Sequence, residues 1–212
     1  MILKKNFLKK TKIYAIIDPD FCKGRDPFLS AKAAIIGGAE VIQLRCKNRT
    51  DGYIYRTAVD IAKECRKRKV IFLINDRVDI AKLTGADGVH LGQNDIPVKT
   101  ARSILGSGKI IGLSTHNTKE IREALRSKPD YIGFGPVFKT KTKMGLPDIV
   151  GLMKLKEAAR SVLLPVVAIG GINEKNIRSV AEAGADYAAL ISVICGAKDI
   201  KKKIKVLIER IK

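Results

Sequence analysis

Gly184-Ala185-Asp186-Tyr187-Ala188 stops one amphipathic segment and starts a buried one within five residues. The glycine suits the left-handed cap that ends a helix, the small residue lets the chain turn tightly, and an acidic residue stands at the entrance to an apolar strand. The same form stands at Gly38-Ala39-Glu40-Val41-Ile42 and Gly85-Ala86-Asp87-Gly88-Val89, with a variant at Pro129-Asp130-Tyr131-Ile132. These junctions fall in every second unit of a longer pattern, in which short apolar, β-branched runs alternate with longer amphipathic ones.

The strand-like runs are Ile13–Asp18, Val41–Leu44, Ile71–Ile74, Gly88–Leu91, Ile110–Ser114, Tyr131–Phe134, Val166–Ile169 and Tyr187–Ile191. Helix-like segments lie around Pro27–Ile36, Gly52–Lys67, Val78–Leu83, Val98–Leu105, Thr118–Ser127, Val150–Ala159, Glu174–Ala183 and Ile200–Ile211. Eight βα units in 212 residues average about 26 residues each, and strict alternation implies a parallel sheet covered by helices. Closing that sheet removes its edges, so the expected fold is a single α/β (β/α)8 TIM barrel, with an open doubly wound sheet as the competing form. Residues 1–212 read as one domain, with a basic N-terminal extension over 1–11, the barrel core over 12–195 and a C-terminal helix over 198–212.

The chain carries 41 Lys+Arg against 21 Asp+Glu, a formal net charge of +20. Such an excess raises the prospect of a polyanion partner, but the cations are scattered in short runs such as Arg66-Lys67-Arg68-Lys69 and Lys201-Lys202-Lys203. With five Tyr, six Phe and no Trp, few of them beside the basic runs, the stacking platform of a single-strand binder is missing. Nucleic acid is therefore not the expected partner, and a basic nucleic-acid-binding barrel is the runner-up reading. No apolar run approaches the ~18–20 residues that span a bilayer, and Met1–Lys12 has no signal-peptide core. Cys22, Cys46, Cys65 and Cys195 stand far apart without a C-x-x-C pair, which fits free thiols and a cytoplasmic protein.

In a barrel of this kind the chemistry sits at the carboxyl ends of the strands. Gly170-Gly171 and Ile191-Ser192 follow strands seven and eight, where backbone N–H groups commonly hold a phosphate, although a glycine pair also serves simply to turn the chain. Asp76 and Asp95 end adjacent strands, so their carboxylates suit one hard cation such as Mg2+; N-capping of the following helices is the competing use of each. Arg45, Lys47 and Lys143 share that rim, as a diphosphate ligand requires, unless they are only solvated surface cations. Thr140 and Thr142 alternate with lysines in a loop that reads as a flap closing with Lys143 over substrate, or else as a plain exposed loop. Gln43 is a polar residue inside an apolar strand; it needs a partner and suits the hydrogen-bonding edge of a heterocycle. His90, between Val89 and Leu91, reads as an interior imidazole with its hydrogen bonds satisfied, whereas His116 is a candidate acid or base. Walker A, H-E-x-x-H, dinucleotide and nucleophile-elbow motifs are absent.

Gln43-Leu44-Arg45-Cys46-Lys47, Asn75-Asp76-Arg77-Val78-Asp79, Gly85 through Asp95, Gly133-Phe134-Gly135-Pro136-Val137-Phe138 with Thr140-Lys141-Thr142-Lys143, and Ala168-Ile169-Gly170-Gly171-Ile172 together resemble the thiamine phosphate synthase family, over roughly residues 12–195. The family is a (β/α)8 barrel. The resemblance implies that the ring nitrogen of 4-methyl-5-(2-hydroxyethyl)thiazole phosphate displaces diphosphate from the diphosphate of 4-amino-2-methyl-5-hydroxymethylpyrimidine, giving thiamine phosphate. It also implies binding of the pyrimidine diphosphate by Gln43, Leu44, Arg45, Cys46, Lys47, Asn75, Ser114 and Lys143, with Lys143, Arg45 and Ser114 acting in catalysis. The thiazole phosphate falls to Thr140, Lys141, Thr142, Gly171, Ile191 and Ser192, and one Mg2+ per subunit to Asp76 and Asp95.

Two positions depart from the family pattern: Cys46 stands where an acidic residue is common, and Lys139 where a proline is frequent. A related branch of the same fold isomerises a thiazole carboxylate phosphate, and His116 suits the proton transfer such a tautomerase needs. Asp76, Asp95 and the Thr-x-Thr-Lys loop favour coupling, because a tautomerase has no diphosphate to neutralise. A homo-oligomer is compatible with the sequence, which does not specify one.

Overall fold

The structure is a computed structural model and describes residues 11–140, 142 and 148–212. Its strands are β1 (Lys12–Ile17), β2 (Val41–Leu44), β3 (Ile71–Asn75), β4 (Gly88–Leu91), β5 (Ile110–Thr115), β6 (Tyr131–Phe134), β7 (Val166–Ile169) and β8 (Tyr187–Leu190). Each pairs in parallel with the next, and β8 returns to β1, so the barrel expected from the alternating pattern closes. The helices are α1 (Pro27–Gly37), α2 (Asp51–Arg68), α3 (Val78–Thr84), α4 (Val98–Leu105), α5 (Thr118–Ser127), α6 (Gly151–Ser161), α7 (Ile177–Glu182), the short α8 (Ser192–Cys195) and α9 (Ile200–Ile211). Among the described residues no helix is long and apolar enough to cross a membrane.

The strands have two faces because their side chains alternate. Ile13, Ala15, Ile17, Ile42, Leu44, Phe72 and Ile74 point outward into the core shared with the helices. Tyr14, Ile16, Val41, Ile71, Leu73, Ile110, Tyr131, Val167, Tyr187 and Ala189 fill the barrel interior. Both faces are apolar, and this is why most strands read as short continuous apolar runs.

The recurring acidic residue has a specific task at the bottom of the barrel. Asp87, Asp130 and Asp186 precede β4, β6 and β8, and each carboxylate accepts the N–H at the start of the strand before it: Phe72 at 2.8 Å, Ile111 at 2.7 Å and Val166 at 2.8 Å. The backbone N–H of each aspartate returns a bond to the carbonyl of that same residue. A strand start that would otherwise leave a donor unpaired is closed by the next strand's entrance. Glu40 keeps the backbone half of this device through Ile13, but its side chain pairs with Lys12.

Most boundaries match the pattern-based expectation to within one or two residues, and three of the differences bear on the upper rim of the barrel. β1 stops at Ile17 because the Asp18 carboxylate accepts from Asp20 N–H at 3.1 Å and caps a 3-10 turn over Pro19–Phe21. α7 starts only at Ile177, since Asn173 and Asn176 spend their side chains on an intervening turn. Ile191 is not part of β8 but stands immediately before α8.

Candidate active site

Asp76 and Asp95 face each other across the ends of β3 and β4. Neither caps a helix: α3 begins behind Arg77 and α4 behind Pro97, without a side-chain cap at either. The competing use of the two carboxylates is thereby removed. Asp95 instead accepts Gly92 N–H at 2.6 Å, and Asp76 forms an ion pair with Lys47. Burial raises the Asp76 pKa above the usual carboxylate value; the Lys47 ammonium pulls it back, and the neighbouring Asp95 carboxyl pushes it up again. Asp76 also sits at φ +62°, a conformation that Asp tolerates better than most residues but that stores strain of about 1–3 kcal/mol, held here by its N–H bond to the His90 carbonyl at 2.8 Å.

This donor set fits a hard divalent cation. Two carboxylates that repel each other gain most from a shared positive ion, and oxygen is the preferred ligand of Mg2+. Among the described residues no group of three or more His, Cys, Asp or Glu side chains gathers for a metal, and a cation held by this carboxylate pair would leave positions for water and substrate oxygens.

Beneath this rim a line of polar side chains crosses the barrel interior. Gln43 Nε2 donates to Tyr14 Oη at 2.6 Å, and Tyr14 Oη meets Tyr131 Oη at 2.9 Å. Tyr131 Oη lies 2.8 Å from His90 Nδ1, and His90 Nε2 lies 2.9 Å from Ser114 Oγ. Two glycines make the room. A Cβ on Gly112 would stand 2.0 Å from Tyr131 Cζ, and one on Gly133 would stand 3.1 Å from His90 Cε1.

On the other side of the mouth, the chain after β6 lies across the end of β7. Val137 N–H donates to Ile169 O at 2.9 Å and Phe138 N–H to Gly170 O at 3.0 Å. The approach is so close that a Cβ on Gly171 would meet Lys139 O at 2.5 Å, and both Gly170 and Gly171 have positive φ. Thr140 Oγ1 accepts Thr142 N–H at 3.2 Å and meets Thr142 Oγ1 at 3.1 Å, so the two hydroxyls form one local unit. Lys141 and Lys143 lie outside the described residues.

This arrangement has relatives. Residues 13–194 match the family model described as thiamine monophosphate synthase. The chain belongs to the thiamine monophosphate synthase family. The thiamine-phosphate synthase of Methanosarcina mazei is 41% identical over 212 residues, spanning 100% of this chain and 88% of that protein. That of Persephonella marina is 47% identical over 192 residues, 90% of either chain. Among solved structures, thiamine phosphate pyrophosphorylase from Pyrococcus furiosus superposes with a TM-score of 0.87 at 36% identity, covering 97% of this chain and 98% of that one. The chain is thus a transferase of thiamine biosynthesis.

Within this synthase-family barrel the expected site residues take distinct places. Gln43, Asn75 and Ser114 stand at or near the upper ends of β2, β3 and β5, with Asn75 in register beside His90. Leu44 points outward into the helix-facing core, so any contact with a ligand in the mouth falls to its main chain. The Cys46 thiol packs against that same core and burial pushes its pKa up to about 12, which leaves it a neutral side chain. Ile191 joins β8 to α8 and packs against the interior cluster, and Ser192, the first residue of α8, is exposed. His116 donates Nδ1–H to the Gly135 carbonyl at 2.5 Å, and its backbone N–H is held by Glu120 at 2.8 Å, so it ties the β5 and β6 loops together.

The residues that pattern reading missed are Asp18, Tyr14 and Tyr131. Asp18 is buried and pairs with Arg45, holding that guanidinium at the mouth. A carboxylate ending an apolar strand was the available signal. Tyr14 and Tyr131 read as ordinary apolar strand residues, and nothing local marks their hydroxyls as meeting.

Proposed function

We propose that the mouth of this barrel couples 4-amino-2-methyl-5-(diphosphooxymethyl)pyrimidine with 4-methyl-5-(2-phosphooxyethyl)thiazole to give thiamine phosphate and diphosphate. The observation that carries this reading is the Asp76 and Asp95 pair, released from helix capping and contacted by Lys47, with Arg45 on the adjacent strand end. Paired carboxylates and cations on one rim suit a metal-bound diphosphate, whereas a single phosphate would need neither carboxylate.

Asp76 and Asp95 hold Mg2+, which when bound supplies charge that neutralises the diphosphate. Arg45, Lys47 and Lys143 stabilise the negative charge that grows on the leaving group as the C–O bond to the pyrimidine methylene breaks. The pyrimidine amino group spreads positive charge onto the ring, so bond cleavage runs ahead of bond formation and no protein nucleophile is required. Gln43 and Asn75 hold the pyrimidine, with the main chain of Leu44 and Cys46 alongside, and Ser114 donates to a diphosphate oxygen. Thr140, Lys141, Thr142, Gly171, Ile191 and Ser192 hold the thiazole phosphate so that the ring nitrogen faces the methylene carbon. Positioning then makes the new C–N bond, and closure of the Thr-Lys loop keeps water from capturing the cation.

The test is direct: the protein is incubated with both precursors and MgCl2, and thiamine phosphate and diphosphate are measured. Equal amounts of the two products are expected. Failure to consume the pyrimidine diphosphate with active precursors would overturn the reading, and isomerisation of a thiazole carboxylate phosphate alone would replace it with the tautomerase reaction.

A further inference from the structure

The interior line Gln43, Tyr14, Tyr131, His90, Ser114 contains four consecutive hydrogen bonds between side chains that are far apart in sequence. Gln43 and Tyr14 are buried to within 2% of full coverage, and Tyr131 is completely covered. Each hydroxyl has one proton, and a neutral imidazole carries one proton on one of two nitrogens. The bonds are therefore not independent. When no buried hydroxyl proton is left unpaired, setting the direction of one bond sets the others along the line.

Only two arrangements satisfy every bond with a neutral imidazole and also leave no buried tyrosine proton unpaired. In the first, Gln43 Nε2–H donates to Tyr14, Tyr14 O–H to Tyr131, Tyr131 O–H to His90 Nδ1, and His90 Nε2–H to Ser114 Oγ. In the second, every proton is reversed and the Gln43 amide is turned over. The two arrangements present opposite faces to the mouth. The first leaves Gln43 Oε1 as an acceptor and the Ser114 O–H as a donor; the second offers an amide donor and a serine acceptor.

We propose that Tyr14, Tyr131 and His90 are positioning residues that lock the first arrangement, so that the line sets the polarity of two contacts to the pyrimidine diphosphate at once. This rests on the proposed coupling reaction, and it deepens it. An exocyclic amine on the heterocycle is a donor and needs the Gln43 oxygen. A diphosphate oxygen only accepts, and so needs the Ser114 proton. One direction of the line meets both demands, and the structure turns Gln43 Nε2 toward Tyr14, as that direction requires.

The chain holds two histidines, His90 and His116, so its side chains can be read individually by 15N NMR on the full-length protein, with a His116→Gln variant to assign the signals. The expected state is a neutral His90 protonated at Nε2 and bare at Nδ1. Tyr131→Phe keeps the ring that fills the space over Gly112 and removes only the hydroxyl; it should leave His90 as a mixture of tautomers and raise the pyrimidine diphosphate KM about tenfold. The thiazole phosphate KM should stay within about twofold, because that ligand is held by other loops. Tyr14→Phe interrupts the line one bond earlier, and should raise the same KM while leaving the His90 tautomer as in the wild type.

A His90 protonated at Nδ1, an imidazolium at the assay pH, or a Tyr131→Phe enzyme with unchanged pyrimidine KM would overturn the proposal. If Tyr131→Phe fails to fold, the wild-type tautomer and the Tyr14→Phe kinetics decide. Loss of the coupling activity from the wild type itself would instead strike the functional reading, and the tautomer measurement separates the two failures because it needs no substrate.

Discussion

Asp18 and Arg45 form an ion pair between the ends of β1 and β2, with the Asp18 side chain 1% exposed and that of Arg45 16% exposed. A charge so deeply placed is stable only with its partner, and the partner is thereby held at the barrel mouth. Asp18→Asn preserves shape and the turn acceptor but removes the charge. It should cost about 3–5 kcal/mol in urea denaturation, the usual effect of breaking a buried pair from one side. Among molecules that remain folded, kcat/KM for the pyrimidine diphosphate should fall about 10–100-fold, because Arg45 loses its fixed position. Wild-type kinetics in this variant would separate Arg45 from the diphosphate.

Asp76→Asn and Asp95→Asn should each reduce turnover by about 100-fold or more, the scale of losing a preorganised charge at a reacting centre. Both should unfold near the wild-type urea midpoint, since neither carboxylate caps a helix and Asn also tolerates positive φ at position 76. Chelation with EDTA should stop the wild type, and excess MgCl2 should restore it. A variant with normal turnover, or turnover that persists under chelation, would argue against carboxylate-held Mg2+.

Asp186→Ala removes the acceptor that Val166 N–H uses at the opposite end of the barrel. The aspartate is 5% exposed, and leaving a buried donor unpaired costs about 1–3 kcal/mol. Stability should fall by that amount, while kcat and both KM values of the folded fraction stay at wild-type levels, because barrels place their chemistry at the other face. A large change in KM would show coupling between the two ends.

Stability should also fall in alkali. Burial pushes the thiols of Cys46 and Cys65 up to about 12, from 9.0, and raises the phenols of Tyr14, Tyr131 and Tyr187 above the usual tyrosine value. These groups are raised in the folded state, so their contribution is complete below the unfolded pKa. Above about pH 9 the unfolded chain releases protons that the folded chain keeps, and stability declines as pH rises toward 12. Urea midpoints at pH 8 and pH 10.5 should differ, with the lower one at pH 10.5; Cys65→Ala would carry a cavity cost but a shallower pH slope.

The Gly-x-acid junctions reveal the repeating units of the barrel, because a helix stop, a tight turn and a strand entrance are properties of five adjacent residues; the clasp their carboxylates make with strand starts 15, 19 and 20 residues back is visible only in the fold. Asp76 and Asp95 were legible as carboxylates at neighbouring strand ends, but their release from capping was not. Whether an aspartate caps the next helix depends on where that helix starts, and the start behind Arg77 and Pro97 is a matter of backbone path. His90 was readable as an interior imidazole. Its partners were not, because an apolar run containing Tyr looks the same whether the hydroxyl meets another hydroxyl or reaches solvent.

By itself, the sequence determined the alternation of eight strands with helices, the closed parallel barrel and the motifs of the thiamine monophosphate synthase family. All of these depend on periods and spacings within a few residues of one another, where covalent geometry dictates which side chains share a face. Only the tertiary structure decided that Asp18 anchors Arg45, that Lys47 reaches Asp76, and that Tyr14 meets Tyr131 across a separation of 117 residues. Closing the sheet is what brings those groups together: it turns side chains from different strands toward one axis, where a proton on one group sets the direction of the next.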